Sequence, residues 1–133
     1  MREILFRGKN RDGVWLYGDL RQNANAIETD GINLGGDTFI EPHEYGDTCY
    51  SPDYYAVNPD TVGEYTGLTD RNGVRIFEGD IVETNGHAFE IAYRECGFQL
   101  LVRRENSLYG FIGCGDMFAV IGNVHDNPSF LNA

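Results

Sequence analysis

The sequence predicts an all-β protein, and three observations carry this prediction. The chain of 133 residues contains eight Tyr and eight Phe, which favour strands over helices. Its 17 Gly exceed average usage. Short apolar runs recur at nearly regular spacing between glycine-containing turns, a pattern typical of a small barrel or sandwich. We therefore predict a β-hairpin subdomain at residues 1–60, followed by a small barrel with a tail at residues 61–133.

The N-terminal part begins with a predicted hairpin. Strand-like segments at residues 4–6 and 14–20 flank a loop that ends in Asp12-Gly13, a pair suited to a turn with positive φ. Residues 22–60 then lose clean periodicity, because Gly, Pro, Asn and Asp interrupt the apolar pieces. This region predicts short strands joined by long acidic loops. Its apolar pieces lie at residues 32–34, 38–40 and 54–57.

The C-terminal part has a sharper pattern. Asn72-Gly73 predicts a type I′ hairpin turn, since Asn-Gly readily supplies two positive φ angles. Asp80 follows Gly79 and is expected to accept hydrogen bonds from nearby backbone N–H groups, which would hold a tight bend. A short helical turn or a tail is predicted at residues 127–131. The predicted strands lie near residues 63–68, 74–77, 81–84, 87–93, 98–103, 108–112 and 117–124.

An internal echo links the two parts of the chain. The pattern Arg11-x-Gly13-Val14 recurs as Arg71-x-Gly73-Val74, and in both copies a β-branched strand and a Gly-Asp bend follow. A true duplication would need a longer match. We interpret the echo as two hairpins that solve the same geometric problem.

The charge of the chain is unevenly distributed. The formal net charge is −11, and residues 22–70 contain ten acidic residues without a Lys or Arg. Such a segment repels phosphate backbones, which disfavours nucleic acid as a partner. The simplest interpretation of this segment is a solvated acidic loop region, and the alternatives are a cation site or a docking surface for a basic host or phage protein.

The cysteines and the apolar runs predict a cytoplasmic protein. Cys49, Cys96 and Cys114 are odd in number and form no C-x-x-C pair, so they match neither a disulfide framework nor a structural zinc site. A reducing cytosol fits this pattern. No run of eighteen apolar residues occurs, so no membrane association is expected.

One cluster of side chains could hold a metal ion. Its carboxylates and single imidazole suit Ca²⁺, Mg²⁺ or a transition metal, which would allow a metal-assisted hydrolase. The spacing matches no established metal-binding loop, and Pro42 stiffens its middle, so an adventitious or absent metal is the alternative. The cluster consists of Asp37, Glu41, His43, Glu44 and Asp47.

Other chemistry has weaker support. Cys114 lies between two glycines in an exposed type of turn, but nothing in the sequence brings it to His43, His87 or His125, so no catalytic residue and no cofactor is assigned. A nucleic-acid interface on the barrel would need five arginines on one side, Arg71, Arg75, Arg94, Arg103 and Arg104. Four aromatic residues could stack bases or proline-rich peptides, or belong to the core: Trp15, Tyr54, Tyr55 and Tyr65.

The chain resembles the YopX family of phage and prophage proteins in three places. The centre carries PDTVGEYTGL at residues 59–68, DRNG at 70–73 and IFEGDIV at 76–82. The N-terminal MREILFRGK with WLYGDL, and the C-terminal VIGNVHDNP, are also similar to that family. The resemblance implies a mostly β protein with an SH3-like barrel in its C-terminal part, encoded in mobile elements of bacteria. The family has no established activity, so no site residue is carried over.

These observations favour a non-enzymatic interaction or self-assembling β protein. A small barrel leaves edge strands, which can pair with another chain. Trp15 and Tyr17 are expected to be exposed on the N-terminal hairpin. We therefore expect a homo-oligomer.

Overall fold

The computed structural model describes residues 3–22, 28–29, 32–33, 38–44, 50, 52–102 and 106–131. The described residues form β-strands and short 3-10 turns, with no α-helix among them. The all-β prediction is therefore confirmed. Within these ranges no helix is long and apolar enough to cross a membrane.

Residue contacts divide the chain into two compact units. The N-terminal unit comprises residues 4–64, and the C-terminal unit comprises residues 1–3 and 65–133. Glu3, the first described residue, therefore belongs to the C-terminal unit. Glu3 is part of this arrangement, because its carboxylate pairs with the Arg75 guanidinium at 2.9 Å.

The N-terminal unit is built on an antiparallel sheet. The predicted hairpin is confirmed: β1 (Phe6–Lys9) pairs with β2 (Trp15–Gln22). Among the described residues, the short strands β3 (Glu28–Thr29) and β4 (Ile32–Asn33) pair with each other alone. β5 (Thr38–Glu41) joins the free side of β2, and the first two residues of β6 (Gly63–Thr69) join β1. The buried core of this unit contains Leu16, Ile40 and Val57.

The segment predicted as a short strand at residues 54–57 begins differently. Pro52–Tyr55 forms a 3-10 turn, closed by a hydrogen bond from the Ala56 N–H to the Asp53 carbonyl. Proline suits the first position of such a turn because it has no N–H to donate. Only Ala56 and Val57 make isolated β-bridges, so the strand prediction is wrong for the first two residues.

The C-terminal unit contains a five-stranded antiparallel sheet. Before it, the end of β6 pairs with β7 (Arg75–Phe77). The sheet order is β11-β10-β9-β8-β12, and it is open, since no described residue pair joins β11 to β12. Its buried core includes Ile76, Val82, Phe89, Ile91, Leu100 and Phe118. The strands are β8 (Asp80–Thr84), β9 (His87–Arg94), β10 (Gly97–Val102), β11 (Ser107–Phe111) and β12 (Ala119–Asn123).

Two further expectations for this unit are confirmed. Pro128–Leu131 forms a 3-10 turn where a short helical turn was predicted. The Asp80 carboxylate accepts a hydrogen bond from the Phe77 N–H at 2.7 Å, and Gly79 has φ 91°, so Asp80 holds the bend as expected. Gly79 is required at this bend because other residues rarely adopt such a φ.

The type I′ turn predicted at Asn72-Gly73 is wrong. Gly73 has φ 80°, but Asn72 lies outside the left-handed region. The Asp70 carboxylate explains this, since its Oδ1 accepts the N–H groups of Asn72 at 2.8 Å and Val74 at 2.9 Å. These bonds form an Asx turn, which competes with the mirror-image hairpin geometry. Consecutive positive φ angles occur instead at Asn85-Gly86 and at Glu95-Cys96.

Asn10 builds the same turn in the N-terminal unit. Its Oδ1 accepts the N–H groups of Asp12 at 3.0 Å and Val14 at 2.9 Å. The Asn10 N–H donates to the Val14 carbonyl, just as the Asp70 N–H donates to the Val74 carbonyl. The internal echo in the sequence therefore reflects one turn geometry that is used twice.

The remaining atom of each turn side chain makes a different bond. The Asp70 Oδ2 accepts the Val120 N–H at 2.8 Å, which ties the turn to β12. The Asn10 Nδ2 donates to the Tyr54 carbonyl at 3.0 Å, which ties its turn to the 3-10 turn. Both side chains belong to buried residues. A carboxylate suits a backbone donor and an amide suits a backbone acceptor, so each residue type matches its partner.

Exchanging the two residue types is expected to weaken both units. In Asp70→Asn the amide nitrogen would face the Val120 N–H, and in Asn10→Asp a carboxylate oxygen would face the Tyr54 carbonyl. Each change leaves a buried group without a partner of the right kind, so we expect a loss of about 2 kcal/mol in the free energy of unfolding. Urea unfolding followed by circular dichroism measures this loss.

Asp116→Asn is the matched control for Asp70→Asn, because Asp116 is exposed. It removes the same charge and should leave the urea midpoint unchanged. Equal midpoints for Asp70→Asn and Asp116→Asn would contradict the role assigned to the Asp70 carboxylate.

The same carboxylate should make stability depend on pH. Burial alone raises the pKa of Asp70, but hydrogen bonds from the N–H groups of Val120, Val74 and Asn72, with the charge of Arg71, outweigh burial and lower the pKa below 3.8. The stabilisation is therefore present above that pH and is lost as the pH falls through the folded-state pKa. Melting temperatures below about pH 4 should fall more steeply for the wild type than for Asp70→Asn. Parallel curves would contradict this.

Candidate interaction surfaces

The outer side of β11 is an unpaired sheet edge among the described residues. The Ile112 N–H donates to the Phe98 carbonyl at 3.1 Å, so this pair is hydrogen-bonded across to β10. Backbone groups alternate along an antiparallel strand. The N–H and C=O of the preceding residue, Phe111, therefore point away from β10 and are available to another strand.

Two large aromatic side chains stand along this edge. Tyr109 is 74% exposed and Phe111 is 64% exposed. Each is held from one side: the Tyr109 ring lies 5.3 Å from the Phe89 ring, and the Phe111 ring covers Gly97 so closely that a Cβ there would lie 2.6 Å from it. No residue of Ser107–Phe111 carries a charge at neutral pH. The edge is therefore an oriented, uncharged aromatic strip.

A β-bulge limits the length of the regular edge. The pairing of β10 with β11 shifts register between Leu100 and Leu101, and Gly110 has φ 146°. Bulges twist a strand and interrupt its ladder. Any strand that joins β11 would therefore make few backbone hydrogen bonds and would depend on the two aromatic rings as well.

The opposite edge of the same sheet is covered. The Val120 N–H of β12 is bound by the Asp70 carboxylate at 2.8 Å, and the Arg71 N–H donates to the Phe118 carbonyl at 2.9 Å just before β12. The Asn127 side chain covers Gly122, where a Cβ would lie 2.5 Å from its Oδ1. Proteins commonly block sheet edges in this way against unwanted pairing. The contrast singles out β11 as the accessible edge.

The N-terminal unit has a groove of about 630 Å³. Its floor is apolar and includes Phe39 and Val57, and its rim carries Arg11 and Asp53, whose charged groups lie 3.9 Å apart in solvent. Thr61 in its wall accepts the Lys9 N–H at 2.8 Å, so part of its polar lining already serves the fold.

The predicted metal cluster is only partly described. Asp37 and Asp47 lie outside the described residues. Glu41 pairs with Arg21 at 2.7 Å, and His43 Nε2 lies 2.8 Å from an Asp19 carboxylate oxygen. In the part of the chain that the structure describes, no group of three or more His, Cys, Asp or Glu side chains could hold a metal ion. The metal site stays a prediction, and so does the metal-assisted hydrolase activity that would depend on it.

The candidate thiols and aromatics have ordinary environments. Cys96 and Cys114 are exposed free thiols, and Cys49 lies outside the described residues. Tyr65 is buried, with its ring 5.5 Å from that of Phe77. Tyr54 and Tyr55 pack on the N-terminal core. Trp15 is half-buried, with the Arg7 guanidinium 4.8 Å from its ring centre, whereas Tyr17 is exposed as expected.

The arginines proposed for nucleic acid are divided between described and masked parts of the chain. Arg103 and Arg104 lie outside the described residues. Arg75 pairs with Glu3 and stands 5.6 Å from the Tyr65 ring centre, so its charge is already partnered. The gathering of all five arginines on one side stays untested.

A comparison with protein-family models finds the family of the YopX protein over residues 5–132. The chain belongs to the YopX family. The resemblance inferred from the sequence is thereby confirmed. No curated protein matches the chain. Among solved structures, the crystal structure of protein EF1440 from Enterococcus faecalis is similar, with 25% identity, a TM-score of 0.53 and coverage of 98% of this chain and 99% of that one.

The identity of the accessible edge was missed by the sequence reasoning. The sequence predicts edge strands without saying which they are, and it indicates Trp15 and Tyr17 as exposed residues. The signal for β11 was present in Ser-Leu-Tyr-Gly-Phe, a run that contains two aromatic residues and no charge. It could not be distinguished from a core strand, because the order of strands in the sheet is needed to show which ones lie at the edge.

Removing the Asn127 side chain is expected to open the covered edge. Asn127→Ala loses the bond from the Asn123 N–H to Asn127 Oδ1, which measures 3.3 Å, and uncovers Gly122. We expect about 1 kcal/mol less stability and more light scattering on storage. Asn72→Ala, at an exposed turn position, is the control. If Asn127→Ala is as stable and as soluble as the wild type, the Asn127 side chain does not protect the β12 edge from pairing.

Proposed function

We propose that this YopX-family protein is a non-enzymatic interaction protein that pairs with a strand of another chain through the β11 edge. The single observation that carries the proposal is the contrast between the two edges of one sheet. Side chains of Asp70 and Asn127 cover β12, while β11 presents the Phe111 backbone groups and two exposed rings. Strand addition at an open edge is a common mode of recognition, in which backbone bonds give affinity and side chains give specificity.

A non-enzymatic role is supported by what the best-placed carboxylates do. Asp70 and Asp80 are buried, and each accepts backbone N–H groups that shape a turn. Their lone pairs are therefore used by the fold. Arg75 and Glu41, which could have acted on a substrate, are each in ion pairs.

The proposal also covers the genomic origin, the cellular location and the barrel fold of the protein. We assign it to phage or prophage genomes and to the cytoplasm of the bacterial host, where the exposed thiols of Cys96 and Cys114 would stay reduced. An SH3-like barrel is supported by the strand order, because β8 lies between its sequence neighbour β9 and the last strand, β12. The net charge of −11 favours protein over nucleic acid as the partner.

The proposal predicts that binding in the cell depends on β11. Tagged wild-type protein, the double variant Tyr109→Lys with Phe111→Lys, and the control Met117→Lys are recovered from the native host after cross-linking. Met117 is 60% exposed and lies outside β11, so the control adds positive charge at an apolar surface position in the same unit. Chains recovered with the wild type, further copies of this protein included, should fall about tenfold for the double variant only.

Two results would contradict the proposal. Equal recovery with the double variant would show that β11 is not the contact. An equal loss with Met117→Lys would show that added charge, not the edge, is responsible. Unchanged circular dichroism and melting temperature are the checks that each variant is folded.

A further inference from the structure

We infer that the strand which pairs with β11 is β11 of a second copy of this chain, antiparallel to it across a two-fold axis. This inference rests on the proposed function and names its partner. A two-fold axis brings the same surface of both copies together. The surface must therefore be complementary to itself in charge, in hydrogen bonding and in shape.

Charge is the strictest of these conditions. Each copy carries a net charge of −11, so most surfaces of two copies repel each other. Ser107–Phe111 carries no charge and lies at the accessible edge of its sheet. Two copies can meet there without placing like charges opposite each other. A basic partner would find no negative charge on this strand to attract it.

The backbone at this edge is also self-complementary. The outward N–H and C=O of Phe111 are the donor and acceptor that an antiparallel neighbour needs. A strand related by a two-fold axis presents the same two groups in the opposite direction. Each copy can therefore donate and accept along the shared edge.

The aromatic side chains complete the match. The β-bulge between them places the two rings on opposite faces of the strand: Phe111 lies over Gly97, and Tyr109 packs against Phe89. With the axis beside Phe111, the Phe111 ring of one copy lies opposite the Phe111 ring of the second copy. Cross-strand aromatic pairs of this kind stabilise antiparallel sheets.

The contact is short, so the dimer should be weak. The bulge at Leu100 and Leu101 leaves few regular positions, and only two large side chains of each copy take part. Interfaces of small area form transient complexes. We therefore expect a dimer that dissociates on dilution through the micromolar range.

Light scattering coupled to size-exclusion chromatography tests the inference on the purified chain. The mass should rise with concentration from 14.9 kDa toward twice that value. Met117→Lys and the conservative Tyr109→Phe should follow the wild type, while Tyr109→Lys with Phe111→Lys should stay monomeric. A wild-type mass that stays at 14.9 kDa at every concentration, or a double variant that dimerises, would overturn the inference.

Amide hydrogen exchange provides a test that needs no variant. The Phe111 N–H should exchange more slowly as the wild-type concentration rises, because the second copy bonds to it. The Tyr17 N–H, in the N-terminal hairpin, should show no such dependence. A dimer without protection at Phe111 would overturn strand pairing. A monomeric chain whose cellular partners still depend on β11 would overturn this inference and leave the proposed function standing.

Discussion

The buried carboxylate of Asp70 is the interaction on which the C-terminal unit depends. One side chain accepts three backbone N–H groups, two within its own turn and one from β12. The turn therefore cannot move without the last strand of the sheet. The same bond to Val120 also occupies the edge that β12 would otherwise present, so a single charged group both joins the unit and closes one side of it.

Because Asp70 covers β12 and no described residue covers β11, the two edges of the sheet are chemically different. One end is occupied by polar side chains from the same chain, and the other carries two exposed aromatic rings beside the outward N–H and C=O of Phe111, with which no described strand pairs. In a protein with a net charge of −11, an uncharged strip is where contact with another acidic surface costs least. Asp70 and Asp80 accept backbone N–H groups and so shape the turns of this unit.

Much of the fold could be predicted from the sequence because its turns are local. The N-terminal hairpin, the Asp80 bend and the final helical turn depend on residues within a few positions of one another. The prediction of a type I′ turn at Asn72-Gly73 was wrong because the Asp70 side chain, two residues earlier, accepts the N–H groups of Asn72 and Val74. The accessible edge depends on strand order, which is a long-range property. The 3-10 turn at Pro52–Tyr55 was mistaken for the start of a strand, because its two tyrosines are residues that favour strands.

The pairing of Glu3 with Arg75 has a consequence for how the chain is made and handled. The two residues are 72 positions apart, and Glu3 belongs to the same compact unit as Arg75, the unit that is synthesised last. Glu3 can therefore form this ion pair only after Arg75 has left the ribosome. A substitution of Glu3 therefore acts on the C-terminal unit, although the N-terminal hairpin is its nearest neighbour in the printed sequence.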